Sequence, residues 1–98
     1  MVHEAGDFNQ TLAAAAGDDP VLLAELRAGF LESLSAQIDL LRRARCDGNW
    51  ELAARRLRSL GASFHATDLV RHAEAALDGA PGDPVMLRRL ERYRASFG

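Results

Sequence analysis

At 98 residues the chain has room for one domain around one core. Its 48% apolar and 27% charged residues are ordinary globular usage, which argues against a disordered chain, and a formal net charge of −2 gives no global pull toward nucleic acid. No apolar run approaches ~20 residues and the N-terminus lacks a signal-peptide core, so neither membrane insertion nor export is expected.

Every segment with a clear period reads as helix. Residues 8–16 form a short helical stretch that ends at Gly17. Asp19-Pro20 then supplies an N-cap followed by proline at the first helical position, where the missing N–H costs nothing. From there Leu23, Leu26, Phe30, Leu34, Ile38 and Leu41 recur at spacings of three and four, one apolar stripe on a helix over 20–46. Cys46-Asp47-Gly48-Asn49 reads as a turn, with glycine placed for a left-handed cap.

A third helix over 50–65 carries Trp50, Ala53, Leu57, Leu60 and Phe64 on its core face. Its polar side holds Arg55, Ser59 and Ala62, flanked by Arg56 and Arg58. A fourth, over 68–78, buries Leu69, Ala73 and Leu77 before Gly79. Asp83-Pro84 repeats the cap-and-proline start, and Met86, Leu90, Tyr93 and Phe97 stripe a last helix over 84–97. No segment alternates with period two, so strands are not expected. Short loops between amphipathic helices make neighbours antiparallel. The expected fold is all-α: a single domain over 1–98, an up-down antiparallel four-helix bundle over 20–97 with a short extra N-terminal helix.

Charge is unevenly spread. Residues 1–41 hold seven acidic side chains against one arginine, while residues 42–58 hold six arginines against two acids. A basic segment on an otherwise acidic domain fits an acidic patch on a partner, or a merely solvated helical face. All twelve basic residues are arginine, which keeps its charge and cannot act as a lysine-type nucleophile. Cys46 is the single cysteine, so no internal disulfide forms, and a reducing, cytoplasmic setting fits best. No zinc motif, glycine-rich phosphate loop or nucleophilic triad is readable, so no metal, cofactor or enzymatic activity is expected.

The order of these pieces resembles histidine-containing phosphotransfer (HPt) domains over roughly residues 8–97. The family opens with a short helix, a Gly-Asp turn and a long helix of the type Leu-x-x-Leu-x-x-x-Phe-Leu-Glu. Here Gly17-Asp18-Asp19-Pro20 precedes Leu23, Leu26 and Phe30-Leu31-Glu32. Asp47-Gly48-Asn49-Trp50 stands for its Gly-Asp-Trp-like turn, and residues 53–69 resemble its His-x-Leu-Lys-Gly signature helix, with the leucines, the small residues, Phe64 and Ala66-Thr67-Asp68-Leu69 in place and arginine where the histidine should be. Counting back without gaps from Phe64 and Ala66 puts Arg55 in the histidine slot, Leu57 at the motif leucine, Arg58 at the lysine and Ser59 at the glycine. Counting forward from Trp50 puts Arg58 in the slot, but then about one helical turn must be deleted. The gapless register is preferred.

The resemblance implies a phosphorelay module, and the arginine removes its chemistry. Transfer needs a neutral imidazole nitrogen as nucleophile, whereas guanidinium stays protonated and has no lone pair to offer. It can still grip carboxylate or phosphate oxygens bidentately. The expected function is therefore a non-phosphorylatable module of a bacterial-type two-component system that binds a response-regulator receiver or a histidine-kinase domain. Arg55, Arg56, Arg58, Ser59 and Ala62 would form the binding surface, on a monomer or weak homodimer. One alternative is an active phosphotransfer protein using His65, which replaces the glycine that normally ends the signature helix; a packing or capping role is the simpler reading of that histidine. Another is an unrelated helical subunit that self-associates through surplus apolar surface such as Leu31, Leu40 and Leu52. His3 reads as part of a frayed terminus and His72 as a flank residue of the fourth helix.

Overall fold

The two Asp-Pro pairs start helices as their chemistry requires. In the computed structural model, which describes residues 4–97, five helices follow one another: α1 (Glu4–Ala16), α2 (Pro20–Arg43), α3 (Asp47–Ser63), α4 (Thr67–Asp78) and α5 (Pro84–Ala95). The Asp19 side chain accepts from the Val21 and Leu22 backbone N–H groups, and Asp83 accepts from Val85. No strand occurs among the described residues. His3 lies outside them.

Element boundaries shift where local backbone geometry was not readable. Helix α1 reaches back to Glu4 rather than starting at residue 8. The expected turn around Gly48 is wrong in place and kind. Ala44 at φ −60°, ψ 128° ends α2, Cys46 is the extended N-cap of α3, and Gly48 already lies in that helix's first turn. Gly17, at φ 66°, does adopt the left-handed conformation after α1.

The core forms where the stripes meet. Phe30, Leu34, Ile38 and Leu41 of α2 are buried with Trp50, Ala53, Ala54 and Leu57 of α3, and with Leu69, Ala73 and Ala76 of α4. Met86, Leu90 and Tyr93 close it from α5, which ends at Ala95 rather than reaching residue 97, and Phe97 adds its ring from the turn just past the helix. Leu60, Phe64 and Leu77, expected inside, are only partly buried and pack on its edge. Leu60 borders an open groove toward α2, and Phe64 is the C-cap where α3 gives way to the loop. In α4, Ala76 takes the fully buried place.

Specific contacts fix the order of the helices. Trp50 Nε1 donates to the Ala76 carbonyl at 2.8 Å, tying the start of α3 to the end of α4 and satisfying a buried donor. At the other end Gly61 lies so close to α4 that an added Cβ would stand 2.9 Å from Val70 Cγ2 and 3.0 Å from the Val70 nitrogen. Arg27 of α2 bonds the Phe97 carbonyl, and Arg42 pairs with Glu91, so α5 runs opposite to α2. Phe8 anchors α1 by packing its ring 4.3 Å from Phe30 and 5.4 Å from Phe97, with Phe64 at 6.0 Å.

Candidate functional site

Burial of Ala53, Leu57 and Gly61 leaves one face of α3 toward solvent. Arg55, Ser59 and Ala62 occupy it and are exposed, as the spacing predicted. Arg56 and Arg58 fall on opposite flanks: Arg56 lines the grooves shared with α2, and Arg58 is half-buried on the other side. The surface is thus one helix face with an arginine on each shoulder, not a cluster of three guanidinium groups.

The three arginines differ in what they already hold. Glu51, one turn earlier, accepts from Arg55 Nη2 at 2.6 Å and Nε at 3.0 Å, which orients the guanidinium along the helix. With side chains about half exposed, this pair contributes little to stability. Arg56 and Arg58 form no ion pair among the described residues, so their charge is available to a carboxylate or phosphate partner.

Residues of α2 extend the site in a way the spacing on α3 does not reveal. An open groove of about 360 Å³ is lined by Ser33 and Gln37 from α2 and by Arg55, Arg56, Ser59 and Leu60 from α3. Inside it the Gln37 Oε1 atom is buried and accepts no hydrogen bond. A buried acceptor at the wall of an open groove is paired by whatever donor enters, water or a partner group. Ser33 and Gln37 are one turn apart on the flank of the α2 stripe; only the placement of α3 makes that flank part of a site. A second groove of about 280 Å³ continues past Arg56 and is walled by Leu40, Ala44, Leu52 and Ala53.

His65 and His72 lie on different elements, the turn after α3 and helix α4. His65 follows α3 at φ 57°, the only non-glycine with positive φ among the described residues. Its N–H bonds the Ala62 carbonyl at 3.3 Å and the Ala66 N–H bonds Gly61 at 2.7 Å, the pair of bonds of a Schellman cap with His65 at the left-handed position. Of the two roles expected of His65, the backbone forms the cap, and the exposed side chain does not pack into the core. His72 is half-buried on α4, its ring 5.4 Å from that of Tyr93. No group of three metal-ligating side chains exists among the described residues, and Cys46 is exposed. Among those residues no helix is long and apolar enough to cross a membrane.

Compared with protein-family models, curated proteins and solved structures, the chain matches none. The functional reading therefore rests on the sequence pattern and the geometry of the α3 face.

Proposed function

We propose that the chain is a degenerate HPt-type module, with α2 to α5 as its up-down antiparallel four-helix bundle and α1 as an added clasp. It docks on a receiver or histidine-kinase domain through the α3 face and carries no phosphate itself. The observation that supports this most is His65. In the gapless register the family's helix-ending glycine falls at residue 65, and that residue adopts φ 57°, the conformation glycine prefers. The same count puts Arg55 in the histidine slot, on the exposed face of α3.

Receiver active sites are acidic pockets built to hold phosphate. Arg55, steered by Glu51 and bordered by the small side chains Ser59 and Ala62, can enter such a pocket and bind its carboxylates, which keeps docking and abolishes transfer. The module then competes with phosphorelay partners or tethers one, in the cytoplasm, without a cofactor. The rival reading, transfer through His65, draws on the exposure of that side chain. Titration against receivers and kinase domains of its own organism tests the proposal. Binding that weakens with rising salt and with Arg55→Glu is expected. Binding by Arg55→Glu and Arg58→Glu variants at wild-type strength would remove this face from the mechanism.

A further inference from the structure

Away from the α3 face, α2 carries a second surface. Phe30, Leu34, Ile38 and Leu41 are buried, so the opposite side of this 24-residue helix is free along ~36 Å of length. Of the five large hydrophobic residues left exposed among the described residues, Val21 (65%), Leu22 and Leu40 lie on α2, and Leu52 (47%) lies beside Leu40 in the groove toward α3. Charge on this side is polarised. Asp18, Glu25 and Glu32 stand toward its start with no ion pair among the described residues, and Arg43 stands at its end with Arg56 nearby.

We infer that this face binds a second copy of the chain, with the two α2 helices antiparallel about a twofold axis between Gly29 and Glu32. The positions pair by symmetry. Val21 of each copy meets Leu40 of the other and enters the groove of about 280 Å³ walled by Leu40, Leu52 and Ala53. Asp18 of each copy meets Arg43 of the other, a residue 68% exposed in its side chain and held only by Asp39 in its own helix. Glu32 passes over Gly29, where nothing lies within 4 Å of an added Cβ, so the helices approach closely at the axis. The parallel arrangement sets Glu25, Glu32 and Arg43 each against its own copy, whereas the antiparallel one pairs Asp18 with Arg43 twice and leaves only the two Glu32 carboxylates near each other at the axis, so charge favours the antiparallel one. Such a contact is isologous and closes at two subunits. It leaves Arg55 and Ser59 facing outward from each copy.

Sedimentation velocity of the full chain from about 1 µM to about 1 mM tests this. A species of twice the chain mass is expected. Asp18→Arg and Arg43→Asp should each raise the dimer dissociation constant about tenfold or more, and the two together should return it to within about threefold of wild type, since each restores the other's pair. Val21→Arg should dissociate the dimer while leaving the helical circular dichroism unchanged, because Val21 is already exposed. Arg55→Glu should leave the dimer intact. A chain of single mass throughout, a dimer indifferent to both charge reversals, or one dissolved by Arg55→Glu would overturn the inference.

Discussion

Adding one methyl group at two different glycines separates helix propensity from packing. Gly29 sits inside α2 with nothing of its own chain within 4 Å of an added Cβ, so in the monomer, at low chain concentration, Gly29→Ala gains only the propensity difference, about 1 kcal/mol in favour of alanine. Gly61 sits inside α3 and would gain the same amount. There, however, the new Cβ meets Val70 Cγ2 at 2.9 Å, the Val70 nitrogen at 3.0 Å and the Ala66 oxygen at 3.1 Å. Two of those three atoms are backbone and cannot rotate away, so α4 must shift. Overpacking of this kind costs about 1–3 kcal/mol. Gly61→Ala should therefore be neutral to about 2 kcal/mol destabilising. The propensity terms cancel between the variants, leaving a gap of about 1–3 kcal/mol that belongs to the α3–α4 approach alone. Urea unfolding measures it, and thermal midpoints should differ by about 4–8 °C for each kcal/mol of gap. Equal stabilisation by both substitutions would refute the close approach and, with it, the placement of the signature helix against its neighbour.

Leu57→Ala should cost about 2–5 kcal/mol, because the side chain is fully buried, while Arg55→Ala should cost less than about 0.5 kcal/mol, the worth of its exposed pair with Glu51; urea unfolding of the two variants checks which side of α3 faces the core. His65→Gly should stabilise by about 1 kcal/mol, since φ 57° penalises a side chain with a Cβ and glycine adopts it freely, and a loss of stability in the same assay would contradict the left-handed cap.

What the sequence disclosed was mostly local. Asp19-Pro20 and Asp83-Pro84 announce helix starts because a cap and its proline act within one turn. The Met86, Leu90 and Tyr93 stripe reads correctly because burial on one face leaves a period that a single helix displays, whereas Phe97 continues the spacing but is buried from the turn beyond the helix end. Gly48 misled, since a glycine beside Asp and Asn resembles a turn whether or not the next helix has begun. The need for glycine at 61 is set by Val70 and Ala66 beyond the end of α3, so nothing around residue 61 announces it. Ser33 and Gln37 join the site for the same reason: α3 lies across their flank of α2. The Phe8, Phe30, Phe64 and Phe97 cluster gathers residues spread over almost the whole chain, and no spacing rule connects them.

Phosphate uptake from a phosphorylated receiver of the same organism tests the central claim most directly, comparing the wild-type chain with an Arg55→His/Ser59→Gly variant that restores the histidine and glycine of the motif. No acid-labile phosphate is expected on the wild-type chain, and its appearance is expected on the variant, because guanidinium offers no lone pair and imidazole does. Label on the wild-type chain that disappears in His65→Ala would contradict a docking-only role and make His65 the phosphoacceptor.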